Sequence, residues 1–281
     1  MFIKTVFPSQ LGHSEVRLFK DADTILNSGF YGYWFNPLLD FSISSSEMKG
    51  LLQEKHIVPM GMDLPVEFRK GEDVFMRDLT NLEEIASYAE KIGIRRTATW
   101  IVPASQELSY ISNFSIHVER LGKILDILSN HGIALGLEYQ SPPNLRTGKK
   151  YRFINSLDGI FSLISALKRE NCGVIMDSWH WFLSGSDDSD FDQFERGDQI
   201  VAVHVNDAPK GLSIMEYQDL SRKIPCSTGV IDIKRFLNGI EKTGYSGPLL
   251  VEPFDDSLKK LSLTQALNVT MASINKAFDR G

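Results

Sequence analysis

One stretch in the second half of the chain decides the fold class. It reads Gly-Val-Ile-Met-Asp-Ser-Trp-His over residues 173–180 and, after an acidic connector, Ile-Val-Ala-Val-His-Val-Asn-Asp over residues 200–207. Each half is a short apolar run that ends in polar residues, which is typical of a buried strand. A buried carboxylate or imidazole at a strand tip is costly unless a cation compensates it. Because Asp177 and His204 end successive strands, the pattern predicts that both face one shared ion.

The alternation of strand and helix continues along the whole chain. Strands are predicted at 3–7, 31–35, 57–60, 97–102, 133–138, 174–176, 200–203 and 248–253, and helices at 21–27, 78–92, 112–129, 157–168, 231–242 and 261–278, with another opening at 44–47. Eight such units predict an α/β fold, a (β/α)₈ TIM barrel, as a single domain over residues 1–281. An open, doubly wound sheet is the alternative, but the dinucleotide-binding glycine fingerprint is missing after the first strand. The helix at 78–92 is expected to use Thr80 as its cap, with Glu83 three residues later.

Composition narrows the class of protein. The 281 residues are 42% hydrophobic and 23% charged, with a formal net charge of −6. No apolar run is long enough to cross a bilayer, and the segment after Met1 lacks the layout of a signal peptide. Two cysteines, Cys172 and Cys226, do not make a disulfide framework, so a cytoplasmic location is expected. The scattered basic residues argue against a nucleic-acid partner. A homo-oligomer remains open.

Polar residues end each of the last four predicted strands. They are Glu138, Asp177, His204 and Glu252. In a barrel, the C-terminal strand ends share one rim, where active sites lie. Three carboxylates and one imidazole suit a single divalent ion, Mn²⁺, Mg²⁺, Co²⁺ or Zn²⁺. Any one of them alone could be a solvated rim charge or a hydrogen-bonded core histidine, but four on consecutive strands favour the ion.

On these motifs, the chain resembles the xylose-isomerase-like superfamily of sugar isomerases and epimerases. The likeness is greatest to its inosose isomerase and sugar-phosphate isomerase/epimerase branch. The motifs that carry it are Leu-Glu at 137–138, Gly-Val-Ile-Met-Asp-Ser-Trp-His-Trp at 173–181, Val-His-Val-Asn-Asp-Ala-Pro at 203–209, Ser-Arg-Lys-Ile-Pro at 221–225, Gly-Val-Ile-Asp-Ile at 229–233 and Leu-Val-Glu-Pro-Phe at 250–254. The first hundred residues match only in layout.

The resemblance implies a site and a reaction. Glu138, Asp177, His204 and Glu252 would hold the ion, and His180 and Arg222 would bind oxygens of the substrate, a small polyol, ketose, inosose or sugar phosphate. Glu138 and Glu252 would then act as the acid/base pair, moving a proton through a metal-stabilised enediolate. Return of the proton to the opposite face gives epimerisation, and return to the adjacent carbon gives isomerisation.

Four further residues near the predicted strand tips have more than one interpretation. Asp207 could orient His204 or Arg222, or it could cap the turn that follows it. Trp179 is a candidate aromatic platform for the apolar face of a sugar, although tryptophan is also ordinary core material. For Trp34 and Trp100 the core interpretation is favoured.

Three departures from the family pattern leave the substrate open. Cys-Ser-Thr-Gly at 226–229 replaces the usual glycine–acid–glycine turn, Trp34 stands where a glutamate often ends the second strand, and the first strand ends in Pro-Ser-Gln at 8–10. A lyase, such as an inosose or dehydroshikimate-type dehydratase, would begin with the same proton abstraction. An apurinic endonuclease is disfavoured because histidines for a three-zinc cluster are missing and no basic face is evident. A non-catalytic sugar sensor is disfavoured because both glutamates are present.

Overall fold

The computed structural model describes residues 1–185 and 187–279, and eight parallel strands within them close into a barrel. The strands are β1 (Phe2–Val6), β2 (Gly32–Phe35), β3 (Val58–Asp63), β4 (Arg96–Ile101), β5 (Ala134–Tyr139), β6 (Cys172–Asp177), β7 (Ile200–Val205) and β8 (Gly247–Val251). Each strand pairs with its neighbours in chain order, and β1 closes the barrel against β8 through the pairing of Phe2 with Gly247. The predicted TIM barrel is therefore confirmed.

Helices follow the strands and cover the outside of the barrel. They are α1 (Leu18–Asn27), α2 (Pro37–Asp40), α3 (Ser45–Lys55), α4 (Glu72–Ile92), α5 (Tyr110–Asn130), α6 (Leu157–Leu167), α7 (Ser178–Leu183), α8 (Ile233–Lys242) and α9 (Leu263–Phe278). Side chains of Ser44, Ser109, Ser156, Asp232 and Ser262 cap five of them. Such a cap accepts a hydrogen bond from one of the free N–H groups in the first turn, which fixes where the helix begins.

Helix α4 begins earlier than the sequence predicted. Its N-cap is Gly71, and the Thr80 hydroxyl donates to the Met76 carbonyl at 2.8 Å within the helix. The expected Thr80 cap is therefore wrong. The buried Phe75, one turn before the expected start, lies seven residues before the buried Leu82 and so extends the same apolar face.

Strand β3 extends three residues beyond the predicted end at Met60. Pro59 weakens the strand pattern in the sequence, because proline cannot donate to a sheet ladder. In the structure, the pairing of β3 with β4 begins only at Met62, so the missing N–H of Pro59 leaves that ladder intact. The strand consequently ends at Asp63, on the rim where the other strand tips lie.

The apolar side chains form two layers. The larger lies between the barrel and the helices, and a smaller group fills the barrel interior: Phe7, Trp34, Ile175, Val201, Ala202 and Leu250. Gly61 makes room in that interior, because a Cβ there would meet the Trp34 ring at 2.2 Å. The interior is therefore a packed floor beneath the rim. Within the described residues, no helix combines the length and apolar character needed to cross a bilayer.

Candidate metal centre

Four side chains converge at the C-terminal rim of the barrel. Glu138 lies near the end of β5, Asp177 ends β6, His204 lies near the end of β7, and Glu252 directly follows β8. One potential ligand atom from each lies within 4.8 Å of the others. Strand pairing produces this convergence, since Asp177 lies opposite His204 in the β6–β7 register and Leu250 lies opposite His204 in the β7–β8 register. The structure thus brings together the four residues that the sequence singled out.

The donor atoms are arranged as if around a common point. His204 Nδ1 lies 3.1 Å from Glu138 Oε1 and 3.5 Å from Glu252 Oε2. Both Nδ1 and Oε1 are buried, yet neither has a hydrogen-bond partner of acceptable geometry among the described residues. Buried polar atoms are normally paired. Two orphaned atoms that face each other at this distance fit a cation that both would ligate.

The electrostatics also fit a cation. Burial raises the pKa of Glu138 to about 7. Burial likewise raises the pKa of Asp177, even though Arg222 and His204 oppose the shift. Burial would also raise the pKa of Glu252, but Arg222 and His204 hold it below the usual range. Three carboxylates buried this close together are costly to keep charged, because each loses contact with water and repels the others. A divalent ion bound between them would offset that cost.

Arg222 lies behind the cluster. Its guanidinium Nη1 donates to Asp177 Oδ2 at 2.9 Å and to Glu252 Oε2 at 2.5 Å, and its Nη2 donates to Asp219 Oδ1 at 2.9 Å. The residue is 1% exposed and is not among the residues that line the cavity of the site. From this position Arg222 can hold the carboxylates of Asp177 and Glu252 in a fixed orientation.

His180 lies on α7, one turn beyond Asp177, and is fully buried. The Ser141 backbone N–H donates to its Nδ1 at 3.2 Å, and Arg222 Nη2 lies 3.3 Å from its Nε2. Burial and the nearby Arg222 lower the pKa of His180 well below its usual value, which favours the neutral ring. Nε2 also lies 3.8 Å from Glu138 Oε2. The imidazole therefore packs between the Ser141 backbone and Arg222 at the edge of the cluster.

Asp207 organises the loop that carries Arg222. Its carboxylate accepts hydrogen bonds from five backbone N–H groups, those of Ala208, Thr228, Gly229, Val230 and Ile231. Its backbone pairs with that of Lys223, at 2.8 Å in each direction. The side chain faces the 228–231 turn, and its backbone fixes the residue next to Arg222.

Trp179 lies in the packed shell of the site. It is fully buried, its backbone N–H donates to Asp177 Oδ1 at 2.8 Å, and its ring packs edge-on against Tyr217. It does not line the cavity. The structure therefore places it against Asp177 and away from the open side of the site.

A cavity opens above the cluster and encloses about 510 Å³, including its mouth. This volume suits a small ligand. Its lining is Phe7, Gln10, Trp34, Asp63, Ala98, Thr99, Trp100, Glu138, Ile175, His204, Leu250 and Glu252. Trp34 is 1% exposed, as predicted for a core residue. Trp100 is 45% exposed, so its predicted core position is wrong; its ring stands at the open mouth beneath the Arg69 guanidinium, 4.2 Å away.

Two residues of the site, Asn206 and Asp63, are not predicted from the sequence. Asn206 is fully buried, donates through Nδ2 to both oxygens of Asp177 at 3.0 and 3.2 Å, and accepts the Glu252 N–H at 3.0 Å. Asp63 lines the cavity and accepts a hydrogen bond from Trp34 Nε1 at 3.0 Å. Asn206 could have been found from its place in the Val-His-Val-Asn motif, and Asp63 from a longer third strand.

The comparison with protein families decides the classification. The model of the family described as xylose isomerase-like TIM barrel matches residues 27–275. The chain belongs to this family. Inosose isomerase of Halalkalibacterium halodurans is 22% identical over 239 residues, which cover 83% of the chain and 80% of that protein. The 3-dehydroshikimate dehydratase of Pseudomonas putida is 33% identical over 110 residues, which cover 38% of the chain and 17% of that protein.

Two solved structures share the fold of this chain. A xylose isomerase domain protein from Alicyclobacillus acidocaldarius superposes with a TM-score of 0.87 at 23% identity, covering 99% of this chain and 98% of that one. The IOLI protein, whose crystal structure contains a bound zinc atom, superposes with a TM-score of 0.82 at 19% identity, covering 98% and 97%. With relatives that are named as isomerases and dehydratases, the chain is an enzyme of this superfamily.

Proposed function

We propose that the protein is a divalent-metal-dependent isomerase or epimerase of a small ketose, inosose or related sugar. The observation that carries the proposal is the convergence of Glu138, Asp177, His204 and Glu252 within 4.8 Å at the rim of the barrel. The similarity to inosose isomerases, which extends over four-fifths of their length, supports this class of substrate. An ion such as Mn²⁺, Mg²⁺, Co²⁺ or Zn²⁺ suits the oxygen-rich donor set.

When bound, the ion would polarise a substrate carbonyl and its neighbouring hydroxyl as a Lewis acid. Glu138 and Glu252 both line the cavity, on either side of His204. One carboxylate removes the proton from the carbon next to the carbonyl, which gives an enediolate. The other glutamate, or the same one, returns the proton to the opposite face or to the adjacent carbon. These two outcomes are epimerisation and isomerisation.

The surrounding residues hold this pair in position. Arg222 and Asn206 fix Glu252 through its carboxylate and its backbone N–H. His180 packs against Arg222, with its Nε2 at 3.3 Å from Arg222 Nη2 and at 3.8 Å from Glu138 Oε2. Ile175 and Leu250 close the floor and keep water from the reacting carbons.

A dehydratase is the second candidate. The local 33% identity to 3-dehydroshikimate dehydratase favours it, because that segment is more similar in sequence than the inosose isomerases are. The chemistry starts with the same proton abstraction but ends with expulsion of a β-hydroxyl. Incubation of the metal-loaded protein with ketoses and inososes in heavy water separates the two. Solvent deuterium in an isomeric product supports the isomerase, and loss of water supports the lyase.

Replacement of either glutamate tests the acid/base pair. We expect Glu138→Gln and Glu252→Gln each to reduce turnover by at least about 1,000-fold, because general acid–base catalysis contributes about 100- to 10,000-fold and each change also weakens the metal site. Glu84→Gln, an exposed change on α4, is the matched control and should retain full activity. Circular dichroism checks that each variant is folded. Near-normal turnover in both site variants would refute the two-glutamate mechanism.

A further inference from the structure

Asp63 lies on the wall of the cavity opposite the metal centre. Strand β3 lies four strands from β7 in the eight-stranded barrel, so Asp63 at the tip of β3 stands across the barrel from His204. Both residues line the cavity. A substrate held at His204 and its neighbours would therefore present its far side to Asp63.

The Asp63 carboxylate is held in a fixed orientation. Oδ1 accepts the hydrogen bond from Trp34 Nε1 at 3.0 Å. The Trp34 ring is itself immobilised inside the barrel, since it fills the space that Gly61 leaves. Among the described residues, no donor reaches the other carboxylate oxygen, Oδ2. Asp63 thus offers the cavity a positioned acceptor that the fold has not used.

Apart from His204 of the metal centre, no basic side chain among the described residues lines this cavity. Its titratable lining residues in the described part of the chain are Asp63, Glu138, His204 and Glu252. The guanidinium of Arg69, in the adjoining cavity, donates to Glu67 Oε1 at 2.8 Å and to the Trp100 carbonyl at 2.9 Å. Arg222 is bonded to three carboxylates and does not line the cavity. Both guanidinium groups are already neutralised by carboxylates.

We propose that Asp63 is a specificity-determining substrate contact that accepts hydrogen bonds from the hydroxyls of an uncharged polyol or ketose. It also disfavours a substrate that carries a phosphate or carboxylate at the end facing β3. This proposal rests on the proposed function, because it places the reacting end of the substrate at the metal centre. In a buried cavity, a second anion beside Asp63 is repelled far more strongly than in water.

Either protonation state of Asp63 can bind a substrate hydroxyl, whereas only the carboxylate repels an anion. Burial raises the pKa of Asp63 to about 7, so both the neutral and the charged forms exist near neutral pH. A carboxylate accepts a hydrogen bond from a hydroxyl, and a carboxylic acid can also donate one. Neither form supplies the positive charge that a phosphate or carboxylate requires.

Equilibrium binding of non-reacting probes tests the inference without relying on turnover. Calorimetric titration of the metal-loaded protein would use myo-inositol and myo-inositol 1-phosphate. We expect at least 10-fold tighter binding of myo-inositol. Asp63→Asn should weaken myo-inositol binding about 10-fold, because one charge-assisted hydrogen bond is lost. It should also reduce the ratio of the Kd of myo-inositol 1-phosphate to the Kd of myo-inositol. The matched surface variant Asp126→Asn should change neither affinity.

A second variant tests the orientation of the Asp63 carboxylate separately from its charge. Trp34→Phe removes the donor that orients Asp63 and keeps the negative charge. We expect it to weaken myo-inositol binding about 3-fold and to leave the discrimination against the phosphate ester intact. It also serves as the test if Asp63→Asn does not fold.

Three results would overturn the inference: equal or tighter binding of the phosphate ester, no measurable binding of myo-inositol, or unchanged affinities in Asp63→Asn. Failure of the proposed function would look different. A protein that binds myo-inositol selectively but exchanges no deuterium into any ketose would refute the isomerase alone. A protein that turns over neutral and phosphorylated ketoses equally would refute the role of Asp63 alone.

Discussion

At the scale of single residues, the arrangement of the four proposed metal ligands depends on the residues that hydrogen-bond to them. Arg222 contacts Asp177 and Glu252 at once, and Asn206 also bonds to both. Hydrogen-bond partners of metal ligands set the orientation and charge of those ligands. Arg222 therefore gives the sharpest test of how the site is held.

We expect Arg222→Lys to weaken divalent-metal binding by about 10- to 100-fold. A lysine ammonium keeps the charge, but it lacks the planar fork that reaches Asp177, Glu252 and Asp219 together. Titration with Zn²⁺ and Mn²⁺, followed by calorimetry, measures the effect. Arg169→Lys, at an exposed pair with Asp126, is the matched control. Unchanged metal affinity in Arg222→Lys would show that the guanidinium does not organise the ligands.

The site residues that could be predicted from the sequence are charged and end an apolar run, and those that could not be predicted lack one of these features. Asp177 and Glu252 were predictable because a charged residue at the end of an apolar run is conspicuous. Asn206 carries no charge, so its place directly after the Val-His-Val run draws attention to it only once its hydrogen bonds to Asp177 and the Glu252 backbone are seen. Trp100 was misplaced because the exposure of a strand tip depends on the loops beside it, and these are set by distant parts of the chain.

At the scale of elements, strand order was predictable and element boundaries were less so. The start of α4 was set by Phe75 packing on the core and not by a local capping pattern at Thr80. Strand β3 continues to Asp63 because Met62 and Asp63 pair with Thr97 and Ala98 of β4. Both errors have the same cause, since tertiary contacts overruled local signals.

The packing of β3 against β2 can be tested at Gly61. We expect Gly61→Ala to lower the free energy of unfolding by about 1 to 3 kcal/mol, because the new methyl group would overlap the Trp34 ring. Urea denaturation measures the change. In Gly50→Ala, on α3, the Cβ meets no atom within 4 Å, and the same substitution should stabilise by up to about 1 kcal/mol. Equal effects at the two positions would contradict the close packing of Trp34.

At the scale of the whole molecule, four separate strands supply the metal centre. An ion bound there would tie β5, β6, β7 and β8 together only in the folded state, because the four ligands are far apart in sequence. A ligand that binds only the folded state raises the free energy of unfolding by mass action.

We expect saturating metal to stabilise the protein by about 2.7 kcal/mol at a free-ion concentration 100 times Kd. Thermal denaturation with and without a chelator measures this as an increase in Tm. His204→Ala should abolish most of the increase. His56→Ala, at the end of α3, should keep all of it. A Tm that does not depend on metal would argue against an ion at the four-residue cluster.

The seam of the barrel also sets an order of events during synthesis. Strand β1 leaves the ribosome first and finds its second partner, β8, only after nearly all of the chain has followed. Glu252 emerges directly behind β8. A nascent chain therefore displays three of the four donors before the cylinder can close. Full affinity for an ion at the four-residue cluster would thus arise only together with closure of the barrel.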